Sequence, residues 1–178
     1  MRRFLIISLL AALTLSAKTK DNRTVFVESG GSSCTGYIVE TNRVLTCGHC
    51  VHGTVMVNEK PARVVKLAPD KDLALLELET STYDRIRLAS VEPADEVYTW
   101  GHPMGDKDLL YSRGYVMKVS SREIFSSTIA LGGDSGSPLF DMKGNLVGMT
   151  CTKVGDNNQD FPIAMSITAK TIREFLQW

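Results

Sequence analysis

A rhythm of short runs rich in Val, Ile, Leu, Thr, Tyr and Phe, closed by clusters of Gly, Asn, Asp, Ser and Pro, constrains this chain more than any other feature. The runs are 25–27, 35–39, 43–46, 54–57, 62–67 and 73–78, then 97–100, 109–119, 124–129, 138–141, 146–152 and 161–167. β-branched and aromatic residues fit a pleated, half-buried surface, and turn residues at this spacing interrupt any helical period. The pattern argues an all-β barrel or sandwich. Glu40-Thr41-Asn42 and Lys143-Gly144-Asn145 read as hairpin loops. Residues 79–96 have no clear period, include Pro93, and read as a connection between two halves. Only the end changes period: Ile172, Phe175 and Leu176 fall at i, i+3 and i+4 behind Thr168 as N-cap, which predicts a short helix over about 168–177. The 178 residues, 43% of them hydrophobic, suit one domain with a sizeable core. Lys+Arg and Asp+Glu balance at 20 each, so charge supplies no case for nucleic-acid binding.

Three local motifs carry chemistry. Gly132-Gly133-Asp134-Ser135-Gly136-Ser137-Pro138-Leu139 places a serine between glycines, where a tight turn exposes a hydroxyl and aims bare N–H groups at a developing oxyanion. Leu45-Thr46-Cys47-Gly48-His49-Cys50 supplies a histidine, the side chain best matched to proton transfer near neutral pH. Asp72 directly precedes the apolar run Leu73-Ala74-Leu75-Leu76, whereas Asp70 reads as a solvated loop carboxylate. His52, and His102 in a Gly-Pro turn, read as surface or turn residues.

The order His49, Asp72, Ser135, with these flanks, resembles the chymotrypsin-like (trypsin-like) serine peptidases over most of the chain after about residue 24. Gly101-His102-Pro103-Met104-Gly105 and Phe161-Pro162-Ile163-Ala164-Met165 are similar to the corresponding segments of HtrA-type enzymes. The short chain suits that compact branch, with its glutamyl-peptidase-like relatives, and no PDZ-like extension is expected. The resemblance implies two six-stranded antiparallel β-barrels, the first over about 24–80 and the second over about 96–167, followed by the helix. It implies a secreted serine endopeptidase acting on protein or peptide substrates, with no cofactor and no metal. Ser135 would be the nucleophile, His49 the general base and then acid, and Asp72 the orienter; the N–H groups of Gly133 and Ser135 would form the oxyanion hole. It further implies a Cys34–Cys50 disulfide and a second between Cys47 and Cys151. A substrate pocket is expected from Ile129, Ala130, Leu131, Cys151, Thr152, Lys153 and Ala164. The place of the acidic residue in trypsin-like pockets is Ile129, which favours a small or aliphatic side chain at the cleaved position; Lys153 on the rim would favour an acidic one instead.

One departure concerns activation. No Ile-Val-Gly-Gly type sequence stands where these enzymes begin their mature chain, so Asp134 needs another partner, and activity without zymogen cleavage is expected. Residues 1–17 read as a signal peptide: Arg2-Arg3, a mostly apolar stretch to Leu15, then Ser16 and Ala17. Residues 18–23 read as a polar leader, and Asn22-Arg23-Thr24 matches a glycosylation sequon. The apolar run is too short to span a bilayer easily, although an uncleaved anchor is the alternative. Export, to a secreted or periplasmic location with no membrane contact after cleavage, implies an oxidising compartment for the four cysteines, which by number alone allow three full pairings.

Three rivals compete. Cys47-Gly48-His49-Cys50 is also a thiol–disulfide oxidoreductase motif, but that chemistry wants the first cysteine at a helix N-terminus, and Val51-His52-Gly53-Thr54-Val55 starts a helix poorly. A zinc site on Cys47, His49 and Cys50 lacks a second closely spaced pair. An inactive homologue that binds peptides is the third.

Overall fold

The structure, a computed structural model, describes residues 22–154 and 163–178, with the side chains of 152–154 excepted. The expected signal at 1–17 and leader residues 18–21 lie outside the described residues, as do Phe161, Pro162 and the side chains of Thr152 and Lys153.

Six strands, β1 (Thr24–Ser29), β2 (Ser32–Glu40), β3 (Arg43–Cys47), β4 (Val55–Val57), β5 (Lys60–Ala68) and β6 (Leu73–Glu77), close into one antiparallel barrel in the order β1-β2-β3-β6-β5-β4. Six more, β7 (Glu96–Gly101), β8 (Leu110–Val119), β9 (Glu123–Ile129), β10 (Ser137–Asp141), β11 (Leu146–Val154) and β12 (Ile163–Thr168), close a second barrel. Its order, β7-β8-β9-β12-β11-β10 around the ring, repeats the connectivity of the first, although the sequence carries no visible repeat. Closure leaves no sheet edge unpaired in either barrel. The expectation of two six-stranded barrels and a short terminal helix therefore holds.

Each barrel fills its interior with inward side chains of alternating strand residues. Val27, Val39, Val44, Leu45, Leu73 and Leu76 are fully buried in the first, and Val97, Ile124, Leu139 and Val147 in the second. The cores touch where Tyr37 of β2 meets Phe140 of β10 edge-on, ring centroids 5.3 Å apart. The final helix, α1 (Ala169–Leu176), starts at Thr168, whose side chain accepts a hydrogen bond from the Thr171 N–H. Its buried Ile172 and Phe175 join the larger core cluster, which contains residues of both barrels. The functional residues gather at the seam thus made.

Candidate functional site

Three elements bring three side chains to this seam. β3 ends at Cys47 and turns through a 3-10 segment, Gly48–Cys50, which lifts His49 to the surface. A second 3-10 turn, Pro69–Lys71, ends on Asp72 in the left-handed region (φ 50°), a conformation that a short polar side chain tolerates. Gly48 has no Cβ, and one built there would stand 3.2 Å from the Asp72 carboxylate, so the two turns pack closely. Asp72 Oδ1 accepts from the His49 backbone N–H at 2.8 Å, and Oδ2 lies 2.8 Å from Nδ1. With Nδ1 protonated, Nε2 is the acceptor, and the Ser135 hydroxyl lies 2.9 Å from it. The same hydroxyl is 3.2 Å from the Cys151 carbonyl. The hydrogen bond to Asp72 raises the His49 pKa above its ordinary 6.5, against partial burial, which acts the other way.

The loop carrying Ser135 has every peptide plane held. Gly132 C=O accepts from the Met104 N–H. Gly133 C=O accepts from the Thr35 hydroxyl at 2.9 Å, and the Asp134 N–H donates to Leu131 C=O at 3.1 Å. Asp134 C=O accepts from the Ser137 N–H at 2.9 Å. Ser135 C=O accepts from the Thr35 N–H at 2.8 Å, while the Gly136 N–H donates to Thr150 C=O at 2.6 Å. In a trans peptide, N–H and C=O point in opposite directions. With the loop held this way, the N–H groups of Gly133 and Ser135, on either side of Asp134, have no backbone acceptor among the described residues. Gly133 and Gly136 adopt φ of +97° and +91°, and a Cβ at Gly136 would fall 1.8 Å from the Thr35 carbonyl oxygen.

Asp134 is buried beneath this loop. Its Oδ2 accepts from the Leu131 N–H at 2.9 Å, and its Oδ1 faces the bare Cα of Gly101, where a Cβ would stand only 2.2 Å away. Burial pushes this carboxyl up to about 6, opposed by the Leu131 hydrogen bond.

Two disulfides clasp His49 from both sides. Cys34 on β2 is bonded to Cys50, and Cys47 to Cys151, with Cα separations of 6.1 and 5.8 Å. Cys151 is the extra residue of a β-bulge in β11, because Thr150 pairs with Ser166 and Thr152 with Met165. The bulge turns its carbonyl to Ser135 and its sulfur to Cys47. The two cysteines of Cys47-Gly48-His49-Cys50 are not bonded to each other and sit on a 3-10 turn, not at the start of a helix. The sulfurs within reach of His49 and Asp72 belong to these bridges and are not thiolates available to a metal.

A cavity of about 360 Å³ opens beside Ser135, lined by His49, Asp72, Ala130, Leu131, Gly132, Asp134, Thr150 and Cys151. Of the residues expected around a pocket, Ala130, Leu131 and Cys151 are on its wall. Ile129 and Ala164 are not: alternation along β9 turns Ile129 outward, 43% exposed, and Ala164 is buried between β11 and β9. His102, expected as a surface or turn residue, is buried in the turn, edge-on to Phe26, and its backbone N–H donates to the Thr35 hydroxyl at 2.9 Å. Thr35 carried no motif and was not picked out by sequence, and Met104 was read only as part of the Gly101–Gly105 turn.

The fold is that of a two-barrel, chymotrypsin-like peptidase domain. The family profile of the trypsin-like peptidase domain matches residues 34–149, and the chain belongs to that family. Among curated proteins it is 28% identical over 151 residues to "Probable membrane transporter protein MamO" of Paramagnetospirillum magneticum, covering 71% of this chain and only 24% of that protein's length. Among solved structures, the MamO protease domain from Magnetospirillum magneticum superposes with a TM-score of 0.73 at 25% identity, over 85% of this chain and 94% of the other. An inactive form of the Rv3671c protein of M. tuberculosis gives 0.75 at 22% identity, over 87% and 85%. A serine endoprotease from Yersinia pestis gives 0.76 at 17% identity, over 87% and 61%.

Proposed function

We propose that this chain is a serine endopeptidase that hydrolyses peptide bonds through an acyl-enzyme. The observation that carries the reading is the continuous Asp72–His49–Ser135 hydrogen-bond chain at 2.8 and 2.9 Å, beside a loop whose Gly133 and Ser135 N–H groups have no backbone acceptor among the described residues. In this mechanism, Ser135 Oγ attacks the scissile carbonyl as its proton passes to His49 Nε2. Asp72 holds the imidazole in the tautomer that accepts at Nε2 and stabilises the imidazolium. The N–H groups of Gly133 and Ser135 receive the oxyanion, and His49 then protonates the leaving amine. Water, activated by the same imidazole, releases the acyl group. Of the described lining, Ala130, Leu131, Gly132 and Cys151 present no charged side chain, which favours an uncharged side chain at the cleaved position. Two buried disulfides flanking the histidine are consistent with work in an oxidising compartment, secreted or periplasmic.

The test is covalent labelling with a fluorophosphonate probe. The folded chain is expected to take one probe on Ser135, and Ser135→Ala to take none. A folded wild-type chain that stays unlabelled sinks the proposal and leaves a peptide-binding homologue.

A further inference from the structure

A loop with adjacent glycines has no conformational preference of its own. A Cβ at Gly132 would meet nothing within 4 Å, and Gly133 already lies at positive φ, so local sterics do not choose how these peptides face. The Gly133–Asp134 peptide is held at its N–H by Leu131 C=O of its own loop and at its carbonyl from the opposite barrel. Thr35 on β2 is fully buried, and all of its polar groups are engaged. Its carbonyl accepts from the Thr46 hydroxyl at 2.7 Å, and its N–H donates to Ser135 C=O. Its hydroxyl accepts from the His102 N–H and lies 2.9 Å from Gly133 C=O. A backbone N–H can only donate, so the single hydroxyl proton is committed to the Gly133 carbonyl. The neighbouring Cys34 is bonded to Cys50, the residue after His49, so one short segment of β2 is tied to both the histidine turn and the serine loop.

We propose that Thr35 is a positioning residue for the oxyanion hole: its hydroxyl holds the Gly133–Asp134 peptide so that the N–H groups of Gly133 and Ser135 face the cleft. This rests on the serine-peptidase reading. Without the hydroxyl, the Gly133 carbonyl and the His102 N–H both lose their buried partner, and the glycine pair relaxes into conformers that turn the donors away.

The test compares wild type, Thr35→Val and Thr35→Ser by fluorophosphonate phosphonylation rate, and by kcat and KM on a peptide chosen from a library cleavage profile. Removing an oxyanion donor outright costs about 10²–10³ in rate, so misplacing one in T35V should cost roughly 10- to 100-fold in kcat and phosphonylation rate. KM should stay within about threefold, because ground-state binding is untouched. T35S, which keeps the hydroxyl, should recover to within about threefold of wild type. Wild type that labels, with T35V equally fast, overturns this proposal alone; T35S as slow as T35V overturns it in favour of methyl packing. An unlabelled wild type overturns the peptidase reading and this proposal with it. Should T35V not fold, the wild-type chain carries the test. Its Thr35 hydroxyl proton is expected as a slowly exchanging NMR resonance coupled to the Gly133–Asp134 peptide, and a rapidly exchanging one overturns the proposal.

Discussion

In the proposed mechanism His49 acts as a base only with Nε2 unprotonated, and its neighbour Asp72 makes that harder at low pH. Because the carboxylate raises the imidazole pKa above 6.5, stability from their pairing is full below 6.5 and is lost as pH rises through the raised value. Activity has the opposite sign: kcat/KM is expected to climb with pH along an acid limb centred above 6.5. Asp72→Asn should move that limb down and lower kcat by on the order of 10⁴, since the amide no longer fixes the productive tautomer. A pH–rate profile of both proteins reads the two effects separately. An unmoved limb would show that another group sets the histidine pKa.

The serine loop and the strand beside it fit through the absence of side chains. Gly136 passes over β2 so closely that a methyl group there would overlap the Thr35 carbonyl, with only 1.8 Å between them. Gly136→Ala must therefore move either the loop or the strand, and the left-handed φ of +91° adds strain of its own. We expect loss of labelling at Ser135 together with a destabilisation above about 2 kcal/mol, in the range of overpacking and strain combined. Fluorophosphonate labelling and a urea melt of G136A measure both. Full activity in that variant would mean that the loop has another conformation of equal use.

Two barrels that each fold around their own core still have to be held together to make one site. His49 and Asp72 belong to the first and Ser135 to the second, and the Cys47–Cys151 bond joins the barrels directly beneath them. It closes a separation of 104 residues, against 16 for Cys34–Cys50, which stays within one barrel. By loop entropy the long bridge is worth about 4.7 kcal/mol and the short one about 3. C47A/C151A should thus lose more stability in urea than C34A/C50A, and should lose labelling of Ser135 at denaturant concentrations where the fold persists. The reverse order of stabilities would place the main constraint inside the first barrel.

Much of this molecule was legible in order of sequence. The strand rhythm marked the runs that became the twelve strands, because inward and outward faces demand different residues. The change of period at Ile172 and Phe175 marked the helix for the same reason. His49, Asp72 and Ser135 stood out because each sits in a short motif whose neighbours serve the same turn. Thr35 did not, because its hydrogen bonds reach across 98 residues to Gly133 and 67 to His102. Such contacts depend on how two closed barrels seat against each other, and no local pattern records that. The same holds for Ile129, whose place outside the cavity follows from strand alternation and register, and for Asp134, whose partner is a backbone N–H of its own loop. Local chemistry names the reacting groups, because motif and turn are written side by side in the chain. Packing between the barrels decides which distant residues, Thr35 among them, bond to the serine loop, because that depends on distances between segments far apart in sequence.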